Sequence, residues 1–220
     1  MNTKALCTFA TGTHKELLDI ARPSFQAYAR AHGYTYFEPE DFAPSRPPPW
    51  YKIPLLRSIL SQYDEAIFIG ADLVIVDGRD DVGEDVPPDA WQAMVRHATG
   101  DGDVPNDDVW LVRKPMIPIL DKIWTMTQWL NHGWWEQAAL LELMGYHVIQ
   151  PTHLIEETEL YRRTHWLDSS WNVHRWDRIQ PEHPRFQHAT MWPDRKAIMT
   201  QWAQEAEGWM YANQPVICRG

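Results

Sequence analysis

The chain has 220 residues, 44% of them hydrophobic, and 20 lysines and arginines against 30 aspartates and glutamates, a formal charge of −10. This composition suits a single globular domain with a substantial core and excludes a disordered chain. No apolar run approaches the roughly 18 residues of a membrane span, and the acid excess disfavours non-specific binding to nucleic acid or anionic membrane, which needs a basic surface.

Residues 1–12, "MNTKALCTFATG", are too short and too polar for a secretory signal, so a cytoplasmic location is expected. Cys7 and Cys218 lie near opposite ends without metal-type spacing, and reduced thiols are expected in that compartment. Thirteen tryptophans serve either as core or as platforms for flat or partly apolar ligands. A local basic face around Arg162, Arg163, Arg175 and Arg178 stays compatible with the overall charge.

In chain order, "ALCTFATG" (5–12) reads as a buried strand ending in small and polar residues. "HKELLDIARPSFQAYARAHG" (14–33) places Leu17, Leu18, Ala21, Phe25, Tyr28 and Ala29 at helical spacing, with Gly33 as its C-cap. Pro23 predicts a kink or a division of that helix in two. "YTYFEPE" (34–40) is a second strand, "FAPSRPPPW" (42–50) a loop without regular structure, and "WYKIPLLRSILSQY" (50–63) a helix with one apolar face. "AIFIGADLVIVD" (66–77) reads as a third strand interrupted by Asp72. Strands alternating with helices predict an α/β fold with a parallel-type sheet.

Residues 78–108 read as loop-dominated, with one short helix near "PDAWQAMVRH" (88–97) capped by Asp89. "DVWLVRK" (108–114) is a strand, "PILDKIWTMTQWLNHG" (118–133) a helix ended by Gly133, and "WWEQAALLELMGY" (134–146) a helix stopped by Gly145. "HVIQP" (147–151) is a short strand, "LDSSWNVH" and "RFQHATMW" mix short strands and loops, and "DRKAIMTQWAQEAEGWM" (194–210) is the final helix.

Neither GxGxxG nor GxxxxGK[ST] is present, nor HExxH or GxSxG, so the chemistry falls to the acids and what faces them. Ligands of open α/β sheets gather outside the carboxyl ends of the strands, which here collects residues 8–11, 36–38 and 70–72. A carboxylate at the floor of such a crevice needs a partner. For Asp72 the alternatives are a hard divalent cation carrying a ligand's phosphates, or a turn cap or arginine pair.

"WYKIPLLRSILSQYDEAIFIGADLVIVD" resembles the central block of the GT-A glycosyltransferases, nearest to the galactosyl- and xylosyltransferase families of fungi and plants and more distantly to the glycogenin-like ones. Lys52, Tyr63–Asp64 and Asp72 match that block, and Gly70 stands where its Asp-x-Asp motif has the first Asp. "ALCTFATG…YARAHGYTY" resembles the family's nucleoside-binding opening, and "PNDDVWLVRKPMIPILDKIW" its N-x-G-x-x-x-x-R block, with Asp108 in place of the glycine. "WWEQAALLELM" resembles the Asp/Glu-Gln-x-Ala-Leu block, "WLDSSWNVH" the f-N-x-Y/H strand and "RFQHATMW" the late His-x-x-Gly block. The blocks fall in the family's order across most of the chain.

The resemblance implies a single GT-A (Rossmann-like) α/β domain over 1–220, with a mixed, mainly parallel sheet flanked by helices. Residues 1–77 would form its nucleotide-binding half and 78–220 its donor-sugar and acceptor half. It implies transfer from a nucleoside-diphosphate sugar, expected to be a UDP-sugar, to an acceptor hydroxyl, with retention and help from a divalent metal, Mn2+ or Mg2+. By the same resemblance Asp72 and His188 bind the metal, and Thr8, Ala10, Thr11, Tyr36, Lys52, Gly70, Ala71 and Asp72 face the nucleotide. Glu136, Gln137 and Asn106 face the donor sugar or the reaction, with Asn172 as a further hydroxyl-binding candidate. Trp134 and Trp135 are candidates to stack on a sugar.

Plainer readings stand beside these: a solvated lysine at 52, strand packing for Tyr36, a buried structural histidine at 188, and a helix-start acid at 136 favoured by the dipole. Asp64 and Asp77 are candidates to compensate for Gly70. A transferase without metal, a degenerate GT-A protein that binds nucleotide or sugar without transfer, and a nucleotidyltransferase are the alternatives; the missing Gly-rich loop counts against the last. The acceptor is left open among a glycan, a small molecule and a hydroxymethylated DNA base, as is oligomeric state. The absence of a stem and anchor points to a bacterial or viral protein.

Overall fold

The strands with apolar residues on both faces form the centre of the molecule. A computed structural model describes residues 3–40, 45–99, 102–148 and 153–212. β1 (Lys4–Cys7), β2 (Thr35–Phe37) and β3 (Glu65–Ile69) run parallel, and every residue of β3 is buried, as expected where helices cover both faces. β5 (Gln92–Thr99), β6 (Gly102–Arg113) and β9 (Thr164–Leu167) complete a six-stranded sheet in the order β2-β1-β3-β6-β5-β9. Only β6 runs against the others, giving the mixed, mainly parallel sheet that was expected.

Strand alternation divides the core in two. Leu6, Ile67 and Ile69 face α1 (His14–His32) and α6 (Arg195–Ala212). Ala5, Cys7, Ala66 and Phe68 face α2 (Lys52–Leu60), α3 (Ile117–Thr125) and α4 (Trp135–Met144). Cys7 is a buried free thiol, and Cys218 lies outside the described residues. Among the described residues no helix is long and apolar enough to cross a membrane.

Several elements differ from the expectation, each for a local reason. α1 is one helix, not two, with Pro23 inside it. The neighbouring Ser24 hydroxyl donates to the Ala21 carbonyl at 2.8 Å and accepts the Ile75 amide at 3.2 Å, tying the proline turn to β4 (Leu73–Ile75). Within the proline-rich loop, Pro48–Tyr51 form a 3-10 turn leading into α2, where prolines preset φ and their missing N–H costs nothing. Of that loop, residues 42–44 lie outside the described residues.

The stretch 66–77 is two strands. Leu73 N–H donates to the Gly70 carbonyl at 3.2 Å, closing a turn, and β4 leaves the main sheet to pair antiparallel with β10 (Phe186–His188).

The helix expected near 88–97 is instead strand β5. Its Gln92 accepts the Trp110 indole N–H at 2.8 Å and donates to Thr164 at 2.8 Å, so its side chain bridges both neighbouring strands. Asp89 pairs with Arg163 rather than capping a helix. α3 ends at Thr125, because Met126 leaves the helical region (φ −83°, ψ 66°) and a 3-10 turn, Thr127–Trp129, follows; Gly133 caps nothing. α4 does end at Gly145, at φ 96°. β7 (Tyr146–His147) pairs with β8 (His153–Leu154), residues 149–152 lie outside the described residues, and a short α5 (Glu159–Arg162), capped by Thr158, was not foreseen.

Candidate active site

The carboxyl ends of β1 and β3, the β6 strand, the start of α4 and the start of α6 surround a cleft of about 1010 Å³. A break in the β5–β6 register shapes its floor: Met94 pairs with Trp110 but Val95 pairs with Asn106, so three β6 residues oppose none on β5. This bulge swings Asp107 and Asp108 to different sides, Asp107 inward to α2 and Asp108 toward the turn after β3.

Asp72 occupies that turn. Its carbonyl accepts the Ala189 amide at 2.8 Å, and β4–β10 pairing sets His188 opposite Leu73, so the acid and the imidazole meet although 116 positions apart. His188 Nε2 lies 3.4 Å from Asp72 Oδ1 and 3.8 Å from Asp108 Oδ2. The other Asp72 oxygen accepts an N–H of Arg195, whose guanidinium also lies 3.2 Å from His14 Nε2. Burial works against ionisation of Asp72, but His188 and Arg195 outweigh it and hold the carboxyl well below the usual range. Burial likewise works against a charged His188, and Asp72 and Asp108 outweigh it, raising its pKa.

The tautomer of His188 follows from its supports. The Asp108 amide donates to Asn106 Oδ1 at 2.9 Å, which fixes that amide's orientation. Asn172 Nδ2 donates to the same oxygen at 2.8 Å, leaving Asn172 Oδ1 to face His188 Nδ1 at 3.0 Å. An oxygen there can only accept, so Nδ1 carries the proton and Nε2 is directed at the two carboxylates. His174 Nε2, 2.9 Å from the same Nδ1, is held neutral by burial and by the adjoining His188 and His97. His97 stacks on His174 with centroids 3.6 Å apart and faces Asp177 at 2.8 Å.

A second cluster sits deeper. Lys52 Nζ is 2.9 Å from Asp107 Oδ1 and 2.9 Å from Glu136 Oε1, and all three residues are buried. Two acids share one ammonium, so burial pushes Glu136 up to about 7 and raises Asp107, while Lys52, against its own burial, is raised by the pair. The second oxygens of Glu136 and Asp107 have no partner, nor do Arg195 Nε and His97 Nε2. Half of the unpartnered buried side-chain atoms among the described residues thus belong to cleft residues.

Of the residues singled out from the sequence, Ala10, Thr11, Lys52, Gly70, Ala71, Asp72, Asn106, Glu136, Gln137 and His188 all line the cleft. Thr8 and Tyr36 do not. Thr8 is fully buried beneath it, with its amide on the Phe37 carbonyl, and the Tyr36 hydroxyl donates to Glu38, a carboxylate also gripped by Arg22. Lys52 is neither solvated nor free to swing, since its two carboxylates fix it. Asp64 and Asp77 do not compensate for Gly70: Asp64 binds Lys114 and Thr3, Asp77 binds Arg79, and neither lines the cleft.

Asp107, His14, His97 and Arg195 were not singled out in the sequence, and His174 only as the end of the f-N-x-Y/H match; long-range pairing brings them to the cleft. Trp135, Trp176 and Met191 line the mouth and are exposed, and among the described residues Trp135 and Met191 are the non-glycine residues with positive φ (45° and 61°). Backbone strain gathered at one cleft is a mark of functional geometry. Trp134 also lines the cleft while packing on the core.

No protein-family model and no curated protein matches the sequence. Solved structures do. A glycosyltransferase involved in the glycosylation of the major capsid of PBCV-1 superposes with a TM-score of 0.68 at 13% identity, over 92% of this chain and 98% of that one. The glycosyltransferase GlyE of Streptococcus pneumoniae TIGR4 gives 0.63 at 13% identity, over 96% of this chain and 64% of that one. The galactosyltransferase LgtC, solved with donor and acceptor sugar analogs, gives 0.57 at 11% identity, over 91% and 95%. The fold is therefore the one these glycosyltransferases share, the GT-A fold. At such identities the chemistry has to be argued from the cleft itself.

Proposed function

We propose that this protein transfers a glycosyl group from a nucleoside-diphosphate sugar, with a UDP-sugar as the donor, to an acceptor hydroxyl. The observation that carries this reading is the convergence of Asp72, His188, Arg195, Asn106, Glu136 and Gln137 on one cleft. Residues 1–77 supply the nucleotide side, through Ala10, Thr11 and the Gly70–Ala71 backbone, and residues 78–220 the donor-sugar and acceptor side.

The residues present suit a divalent cation. Two carboxylates and an imidazole Nε2 directed at them form an electron-rich pocket that either a proton or a cation must satisfy. Oxygen and imidazole donors fit Mn2+ or Mg2+. Asp72 and His188 would hold the ion, which when bound supplies positive charge to the leaving diphosphate. Arg195, whose part-exposed guanidinium lines the cleft, donates to a phosphate oxygen. Glu136 and Gln137 face the donor-sugar hydroxyls, while Lys52 positions Glu136 and Asp107. Asn106 positions Asn172 and, through it, His188.

The bond from the anomeric carbon to the diphosphate breaks, the acceptor oxygen bonds to that carbon from the same face, and its proton passes to the departing phosphate. The product retains configuration, and an inverted linkage by NMR overturns that part. For the acceptor, the exposed Trp135 and Trp176 at the mouth and the neighbour solved with an acceptor sugar analog favour a sugar hydroxyl. The −10 charge argues against an extended DNA footprint.

The test is a screen of nucleotide sugars with and without Mn2+, reading release of free nucleotide. A second reading, a nucleotide- or sugar-binding protein without transfer, is favoured by one observation: Arg195 already neutralises the outer oxygen of Asp72. It predicts UDP binding by calorimetry and no turnover with any donor.

A further inference from the structure

We infer that Asp108 supplies the carboxylate that residue 70 lacks, so that a divalent cation is held by Asp72, Asp108 and His188. The inference rests on the cation-assisted reading above and assigns a ligand to it.

A side chain at position 70 would press on its neighbours. A Cβ built on Gly70 would lie 3.0 Å from a Leu73 methyl, 3.4 Å from Asp108 Cβ and 3.4 Å from Asp108 Oδ1. The Gly70 amide donates to the Asp108 carbonyl at 2.8 Å, so the two residues are pinned side by side. A carboxylate on residue 70 would lie beside that of Asp108, at a like-charge cost. The β6 bulge is what puts Asp108 there, delivering an acid from the neighbouring antiparallel strand to the mouth of the turn that carries Asp72.

The remaining acids near the cleft are committed elsewhere. Asp107 and Glu136 are held by Lys52, each at 2.9 Å. Lys52 is farther from Asp108, 3.7 Å from Oδ1, and the other oxygen faces His188 Nε2 at 3.8 Å. That separation is longer than a hydrogen bond, as is the 3.4 Å from Nε2 to Asp72. Meanwhile Nδ1 is occupied by Asn172, and Asn172 is aligned through Asn106, which takes the Asp108 amide. The same short chain of hydrogen bonds therefore fixes the Asp108 backbone and turns the His188 nitrogen toward its carboxylate. Two carboxylates with one imidazole match Mn2+ better than Ca2+, which takes oxygens alone.

The experiment titrates the purified protein with Mn2+ alone and follows the EPR signal of the free ion, so it needs no substrate and no turnover. Asp108→Asn and Asp108→Gly should each weaken Mn2+ binding by about tenfold or more, as loss of a ligand does at least as much as loss of a supporting group. Moving the acid back, in the double variant Gly70→Asp with Asp108→Gly, should recover binding over Asp108→Gly alone. Thermal midpoints check that each variant is folded; Asp108→Asn, nearly isosteric, keeps the test open if the glycine variant is not. Unchanged Mn2+ affinity in Asp108→Asn, with loss in Asp72→Asn, overturns the inference and leaves the cation reading standing. A wild-type protein that binds no Mn2+ overturns both.

Discussion

Glu136 and Asp107 sit on one buried ammonium, and the imbalance has consequences that can be measured. With Glu136 pushed up to about 7, its ionised form, able to accept from donor hydroxyls, predominates only above that pH. Activity should therefore rise through pH 7 in the wild type. In Glu136→Gln that inflection should vanish and kcat/KM fall about 100-fold; an unaltered pH profile counts against the assignment. Stability moves the other way. A carboxyl whose folded pKa is raised stabilises the fold below its ordinary pKa and loses that contribution as pH rises through about 7. Any stability advantage of wild type over Glu136→Gln should shrink between pH 5 and pH 8 in denaturant titrations. Removing the shared cation is worse: Lys52→Met leaves two buried acids unpaired and should cost about 3–5 kcal/mol by the same titration. A cost under about 1 kcal/mol contradicts the shared-ammonium picture.

At the scale of elements, α4 places Glu136 and Gln137, and its far end depends on one residue. Gly145 lies at φ 96°, and a Cβ there would fall 2.0 Å from the Glu156 carbonyl oxygen. Gly145→Ala should therefore destabilise by more than the ~1 kcal/mol usual for a left-handed site, read as a lowered thermal midpoint. The helices were legible because their apolar faces repeat: Leu17, Leu18, Ala21, Phe25 and Tyr28 recur at helical spacing and are all buried. The β5–β6 hairpin was not. "WQAMVRH" has no local mark that separates strand from helix, and its strand identity comes from Gln92 bridging Trp110 and Thr164, 18 and 72 positions away. The bulge that aims Asp108 was invisible for the same reason. Asp72 and His188 could be named as a pair only through the resemblance, since nothing local joins residues 72 and 188. Arg195 had no such help. Thr8 and Tyr36 lie at the expected sheet edge but outside the cleft lining, Thr8 with its amide on the Phe37 carbonyl and Tyr36 with its hydroxyl on Glu38.

Across the whole molecule, a GT-A sheet buried on both faces carries a cleft along the carboxyl ends of its strands. A ligand bound in that cleft should stabilise the fold. UDP with Mn2+ at about 100 times its Kd should contribute about 2.7 kcal/mol. For a chain of this size that is a rise of about 5–10 °C in Tm; no shift at saturating UDP contradicts nucleotide binding in this cleft. Transfer chemistry organised on Asp72 is tested by nucleotide release from a UDP-sugar, with wild type and Asp72→Asn measured side by side. Turnover in the wild type and a loss of about 100-fold or more in a variant that still melts cooperatively is the predicted result. Equal turnover in both proteins would contradict it.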